Sequence, residues 1–388
     1  MQPFIENNPL LKQVLADLVG GDFQQRWEAV KQLPAFGADA IAPLLALLVE
    51  AEDAEDEALQ WFVIRSLGNY SHPKVMAVLV DVLSTAADPD LQDAAVTALA
   101  QLGEAGIEAI LPLLQSPERK GKAVQILTCL QTARVVGPLL SVVKDDDPTV
   151  RAAAIAALGA FRDPEITPAL LAALSDPVVA VRREAVVALG RDRDRQGAEN
   201  WVDRLGQCLW DPDAGVGQAA ATALGRLRLP SAIPHLAPVL RSPQSPEPLK
   251  RCVIRSLGWI GQSTALTVLI STWDDGSEAM RLAIVEALGR CSQPPLQGRA
   301  QQQLRHWLTS VLPEANAKTL KQALALALGQ GHDYGSVDLL QRLMVDADPQ
   351  VQVHGAAALR LLGISAPTIP ANPIVPLATL DTKTELGI

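Results

Sequence analysis

Aromatic residues are scarce in this chain of 388 residues, at 4%, with two Tyr, five Phe and seven Trp. A core cannot be built around large rings, so it falls to Leu, Ala and Val, a composition suited to closely packed helices. Cysteine is equally sparse. Cys129, Cys208, Cys252 and Cys291 form no C-x-x-C pair, which excludes a disulfide framework and a cysteine zinc site and leaves structural thiols in a reducing compartment. Lys and Arg number 33 against 43 Asp and Glu, for a net charge of −10. That balance excludes generic nucleic-acid binding and attachment to anionic membrane surfaces, both of which need clustered cations. The five histidines (His72, His235, His306, His332, His354) make no H-x-x-x-H or H-E-x-x-H pair, so no metal site is expected. The most apolar run, Ile41 to Val49, is far too short to span a bilayer. No basic-then-apolar leader opens the chain at Met1-Gln2-Pro3-Phe4. Neither a G-x-x-x-x-G-K-[ST] loop nor a G-x-S-x-G elbow is present. The expectation is a cytoplasmic protein with no catalytic, cofactor or metal residues and no transmembrane segment, able to reach a membrane only through a partner.

What the chain has in abundance is repetition. Asp176-Pro177-Val178 through Ala188-Leu189-Gly190 is nearly superimposable on Asp147-Pro148-Thr149 through Ala157-Leu158-Gly159. Equivalent leucines recur at Leu33, Leu67, Leu99, Leu130, Leu158, Leu189, Leu224, Leu257, Leu288, Leu328 and Leu359, at intervals of 28 to 40 residues. A period a little above 30 fits two helices plus turns. Between these markers lies a second, more aliphatic helix with Pro near its start (Pro43, Pro112, Pro138, Pro168, Pro234), where a missing N–H costs least. Asp before Pro (Asp88, Asp147, Asp176, Asp211, Asp348) suits a helix N-cap. Gly after Leu (Gly68, Gly159, Gly190, Gly225, Gly258, Gly289, Gly329) suits the left-handed residue beyond a helix end. The copy around Leu130 is degraded, and the first, with Trp27 and Leu33-Pro34, reads as an N-terminal cap. The expected fold is all-α: a curved α-solenoid of about eleven two-helix repeats over residues 1–363. A Pro-rich, non-helical tail, extended or disordered, follows over residues 364–388.

The pattern Asp-Pro-x-Val-Arg-x-x-Ala-x-x-Ala-Leu-Gly, alternating with a Pro-started Leu helix, resembles the HEAT repeat over about residues 20–363. It is most similar to the short HEAT-like subtype named after phycobilisome lyases and common in cyanobacteria. The resemblance implies that the Asp-Pro helix lines a concave face and that an Asp six residues before an Arg stacks between repeats. Asp145 with Arg151 and Asp176 with Arg182 keep that spacing, while Asp211 faces Gly217, so the ladder should break there. The subtype hosts chromophore lyases, phycobilisome-degradation adaptors and plain scaffolds.

Candidate contacts follow from register. Positions four, three and zero residues before each marker are apolar, so those six and two before it share an exposed stripe. Trp61, Arg65, Asp93, Arg183, Arg251, Arg255 and Glu286 stand there. Arg and Trp carry much of the energy at protein interfaces. Arginines on the concave face of an acidic protein point to a protein partner with an acidic contact surface. They are equally open to pairing with Asp or Glu on adjacent repeats. The remaining tryptophans (Trp201, Trp210, Trp259, Trp273, Trp307) suit packing. The acidic run Glu50 to Glu57 lacks the Gly of a calcium loop and reads as a solvated helix start. The leading expectation is a non-enzymatic scaffold, adaptor or assembly factor, with the resemblance pointing to phycobilisome or photosynthetic assembly. The rival is a phycobilin lyase or bilin chaperone, whose ligand's two propionates would use the same arginines.

Overall fold

The computed structural model describes residues 8–191 and 199–365. The tail expected over residues 364–388 therefore lies, from residue 366 on, outside the described residues. Regular structure among the described residues is wholly helical. The chain divides into two compact units, Met1–Ala223 and Leu224–Ile388. In the first, the helices are α1 (Pro9–Gly20), α2 (Phe23–Gln32), α3 (Ile41–Asp53), α4 (Glu57–Leu67), α5 (Pro73–Thr85), α6 (Pro89–Gln101) and α7 (Glu104–Ile110). Then come α8 (Lys120–Cys129), α9 (Val136–Ser141), α10 (Pro148–Leu158), α11 (Ile166–Ala173), α12 (Val179–Arg191) and α13 (Glu199–Cys208), with the division falling inside α14 (Ala214–Leu227). The second unit continues with α15 (Ile233–Arg241), α16 (Glu247–Ile260), α17 (Ser263–Ser271), α18 (Glu278–Gly289), α19 (Pro294–Val311), α20 (Lys318–Gln330), α21 (Val337–Leu343) and α22 (Pro349–Leu361). These are eleven pairs among the described residues, and even-numbered helices pack on one another: α2 on α4, α4 on α6, α8 on α10 and α10 on α12 in the first unit, and α16 on α18, α18 on α20 and α20 on α22 in the second.

The marker leucines are the centre of the core, none more than 2% exposed except Leu130. That exception is a register correction. In α8 it is Leu127 that is fully buried, with Ala123 and Val124 behind it. Leu130 caps the helix end instead.

The Asp-Pro signal proves to be two signals. The residue eleven before the marker is the N-cap: Asp22, Asp56, Asp88, Asp147, Ser277 and Asp348 each accept a first-turn backbone N–H. Those helix starts need no further explanation for their acids, and the acidic run before α4 ends in just such a cap, Asp56. Asp176 and Asp211 sit two residues earlier, so the expectation that they cap helices fails. Each is instead a rung between repeats. Arg151 Nε and Nη2 donate to the two oxygens of Asp176 at 2.9 and 3.0 Å, and Arg182 grips Asp211 in the same way at 2.7 and 2.8 Å. The same arginines also donate backwards, to the carbonyls of Asp145 and Asp176. Lys120 with Asp145 (2.6 Å) and Lys321 with Asp346 (2.7 Å) occupy equivalent places.

Of these four cations, Arg151, Arg182 and Lys321 lie seven residues before their markers, and Lys120 lies seven before Leu127, the leucine that takes the buried place in α8. Where the equivalent rung Asp is missing, Arg26, Gln92, Arg281 and Gln352 at that position still bond the preceding loop's carbonyls, and Gln60 bonds the Ala51 carbonyl in the last turn of α3. Gly217 holds it in α14 and has no side chain to extend the ladder, as the resemblance implied. Hydrogen bonds from Lys120 and Arg182 hold Asp145 and Asp211 below the ordinary carboxylate range. Asp176 is lowered too: its burial opposes ionisation, and the Arg151 fork, with the Val178 N–H, outweighs it.

The recurrent glycines are not left-handed caps. Gly68 and Gly159 have φ of −60° and −61°; among described glycines only Gly37, Gly103, Gly261 and Gly363 have positive φ. Each repeat glycine instead faces the residue just before the next marker. A Cβ on Gly190 would stand 2.6 Å from Ala223 Cβ, one on Gly289 2.8 Å from Ala327 Cβ, and one on Gly225 2.6 Å from Ser256. Close approach of neighbouring even-numbered helices is what the missing side chain permits.

Phe23–Asp53 is apolar and long enough on paper to resemble a membrane span. It is broken by Pro34 and by Gly37 at φ +54°, and its longest α-helix has 13 residues, against about 20 for a span.

Candidate protein-binding surface

The exposed stripe on the even-numbered helices is real in register. Gln101, two residues after Leu99, donates to Asn69, two after Leu67, at 2.8 Å, so equivalent positions at the C-terminal ends of α4 and α6 are neighbours. The predicted residues divide into those the structure brings together and those it leaves apart.

In the first unit Trp61 and Arg65, one turn apart on α4, are half-exposed. The Arg65 guanidinium lies 5.7 Å from the Trp61 ring centre, within cation–π range. Trp61 stacks at 6.2 Å on Trp27 and meets Phe62 edge-on at 5.0 Å. Trp27 in turn stacks on Phe23 at 6.4 Å with planes 5° apart. Phe62 is buried beneath, touched by Phe23 at 5.4 Å and by Trp27 at 6.4 Å. Half the signal for this cluster was in the sequence: Trp27 lies six residues before Leu33, as Trp61 does before Leu67. The first repeat, which reads as a cap, thus carries the same stripe position. Asp93 and Arg183 are exposed but stand apart from the cluster. Asp93 adds to the burial that raises the Cys129 thiol, and Arg183 makes a loose 3.7 Å pair with its neighbour Glu184.

In the second unit Arg251 and Arg255 are exposed on one face of α16. One turn further lies half-exposed Trp259, with the Arg255 guanidinium 5.4 Å from its ring centre. The expectation that Trp259 is plain packing thus holds only for its buried half. Trp201, Trp273 and Trp307 are buried, the last two stacked at 3.8 Å; Trp210 is 52% exposed and is no core residue. Glu286 on α18 is taken up by Arg290 of its own helix at 2.6 Å.

Arg65, Arg251 and Arg255 make no ion pair among the described residues; the contacts that distinguish Arg65 and Arg255 are aromatic, joined for Arg255 by a 3.7 Å contact with Cys252 Sγ. Pairing with adjacent carboxylates, the competing reading, belongs to Arg151 and Arg182, one position away on their helices. A guanidinium held over a ring by its face keeps its in-plane N–H donors free for a carboxylate.

Cys129 is exposed, Cys252 and Cys291 are half-buried and Cys208 is buried. Burial pushes the thiols of Cys208 and Cys291 up, and at Cys129 partial desolvation within the repeat stack and the Asp93 carboxylate do the same although the residue is exposed, the opposite of activation. No group of three or more metal-ligating side chains exists among the described residues.

A family model described as HEAT repeats matches residues 8–100, 41–127, 107–190 and 167–249. A crystal structure of importin beta is similar at 15% identity and TM-score 0.50, covering 92% of this chain and 58% of that one. An engineered protein covers 92% of this chain and 99% of its own at 18% identity and TM-score 0.40. The complex of CpcE and CpcF of phycocyanin lyase from Nostoc sp. covers 60% of this chain and 93% of its own, at 21% identity and TM-score 0.32. No curated protein matches. At such identities the structural likenesses concern the fold alone, while the family model spans well over half of the sequence with its overlapping matches: the chain belongs to the HEAT-repeat family.

Proposed function

We propose that this protein is a non-enzymatic scaffold that binds a protein partner through the exposed face of its even-numbered helices, gripping acidic segments. The observation that carries the reading is the pair of arginine–tryptophan contacts, Arg65 on Trp61 and Arg255 on Trp259, neither arginine paired with a carboxylate among the described residues. Such groups are held against a ring before a ligand arrives, so a carboxylate gains a charge-assisted bond at low ordering cost. Assembly of phycobilisome or other photosynthetic complexes is the finer form of this proposal, resting on the repeat motif alone.

The test compares the wild-type chain with the Arg65→Ala/Arg251→Ala/Arg255→Ala variant as immobilised baits. Arg134→Ala/Arg290→Ala removes two exposed arginines already paired with Glu104 and Glu286 and serves as the control for loss of surface charge. Specific, salt-sensitive partners should be lost from the triple variant and kept by the control. Equal capture by all three baits refutes the surface. A shift in visible absorbance on mixing with a linear tetrapyrrole would instead favour a bilin ligand for the same arginines.

A further inference from the structure

The odd-numbered helices α15, α17 and α19 of the second unit contain no Asp or Glu, in a chain that has 43 of them. Helices α17 and α19 pack on one another. Between them lies an open cleft of about 420 Å³, lined by Ile270, Arg299, Gln302, Gln303 and His306. That volume falls within the range of about 300–1,000 Å³ typical of small-molecule sites. Gln302, Gln303 and His306 follow Arg299 by three, four and seven residues, so all four share one face of α19. The two walls are tied together by Trp273 and Trp307, three residues after Ile270 and one after His306, which are buried and stacked at 3.8 Å.

Arg299 is positioned from across the cleft. Its Nη1 donates to Ser263 Oγ at 3.3 Å and its Nη2 to Thr267 Oγ1 at 3.1 Å. The Thr267 hydroxyl is itself oriented by donating to the Ser263 carbonyl at 2.9 Å. Both partners of the guanidinium are neutral, so its charge is uncompensated, and three of its five N–H donors remain for a ligand. The side chains of Gln302, Gln303 and His306 make no hydrogen bond among the described residues. An imidazole offers an N–H in either protonation state, and a carboxamide both donates and accepts. A cation with spare N–H donors and no carboxylate in the lining recognises an oxyanion. A phosphate monoester, with a charge of about −1.5 to −2 and three acceptor oxygens, uses more of this donor set than the two oxygens of a carboxylate. Carboxamides that both donate and accept suit hydroxyl groups, which do the same.

We propose that the cleft between α17 and α19 binds a small polyhydroxylated phosphate monoester of sugar-phosphate size. Its phosphate lies on Arg299, its hydroxyls bond the Gln302 and Gln303 carboxamides, and its far end rests against Ile270 and His306. The cleft is on helices that the protein-binding face does not use, so its failure leaves capture of acidic partners untouched.

The test titrates the full chain by calorimetry with glucose 6-phosphate at fixed ionic strength, where saturation is expected with Kd of about 0.1–1 mM. Inorganic phosphate, glucose and gluconate separate the phosphate, the hydroxyls and a carboxylate as the source of binding, and each should bind at least about tenfold more weakly. Arg299→Gln should weaken the sugar phosphate by at least about tenfold. Arg241→Gln, which removes an exposed arginine of α15 outside the cleft, should leave the affinity unchanged. Gln302→Ala/Gln303→Ala should bring the sugar phosphate down to the affinity of inorganic phosphate. Arg299 and Gln302 are exposed and Gln303 is half-exposed, so these variants should fold, and an unchanged circular dichroism melt checks it. Absence of saturation by about 10 mM, equal binding of inorganic phosphate or gluconate, or undiminished binding to Arg299→Gln overturns the proposal.

Discussion

Gly289→Ala tests the reason for the repeat glycines. Gly289 ends α18 with a helical backbone, so the usual expectation is stabilisation. Alanine gains about 0.5–1 kcal/mol there from propensity and a restricted unfolded state. The structure reverses the sign. The new Cβ would lie 2.8 Å from Ala327 Cβ and 3.2 Å from Ala327 Cα, where neither neighbour is the movable end of a flexible side chain. Overpacking of this kind costs about 1–3 kcal/mol, which outweighs the gain and leaves a net loss of about 1–2 kcal/mol. A methyl group added to Gly298, inside α19, would meet nothing within 4 Å, so Gly298→Ala should raise stability by about 0.5 kcal/mol.

Thermal unfolding followed by circular dichroism reads the contrast, at about 2–4 °C per kcal/mol for a domain of this size. Ala327→Gly alone costs helix propensity, yet combined with Gly289→Ala it should recover most of the loss, a coupling that appears only between touching residues. If Gly289→Ala and Gly298→Ala raise the midpoint alike, the close-approach argument is wrong. Rescue failing in the double variant would also count against it.

The ladder predicts acid sensitivity. Asp145, Asp176, Asp211 and Asp346 have carboxyls lowered in the folded state. Their stabilisation is therefore fully present above the ordinary carboxylate pKa of about 3.9 and is lost as pH falls below it. Asp211→Asn, which keeps the shape and removes the charge, should lower stability at pH 7 and flatten its decline below about pH 4; an unchanged acid profile refutes the rung. Trp307→Ala should cost about 3–5 kcal/mol through the cavity left beside Trp273, whereas Trp210→Ala, at an exposed site, should leave the unfolding midpoint almost unmoved. Asp22→Ala, which opens the capping box with Gln25, should cost about 1 kcal/mol in urea unfolding.

The fold was legible because its determinants are local and recur. Each copy of Leu with apolar residues three and four before it repeats one buried face, and a period a little above 30 admits little besides paired helices. The recurring residues do not each have one cause. Leu-Gly matches a helix stop by local chemistry, but the cause lies about 30 residues away, where Ala188 or Ala327 fills the space a side chain would take. Asp-Pro looked like one signal because Asp145 and Asp147 both occur in a single loop; copies carrying only Asp176 show that rung and cap are separate offices. Leu130 displaced Leu127 because a degraded copy has two leucines and no bracket to choose between them.

The candidate surface follows from the same geometry. Successive residues of a helix differ by about 100°, so the position seven before each marker points along the stack while the next one points outward. Arg182 and Arg183 illustrate it: the first is a rung to Asp211, the second is exposed and pairs loosely with Glu184. One helical step therefore separates arginines that couple repeats from arginines available to a ligand. Composition alone cannot tell the two apart, and counting from the marker leucine can. The count also brings Trp27 onto the stripe beside Trp61 and makes the first repeat, which reads as a cap, part of the surface we propose for a partner.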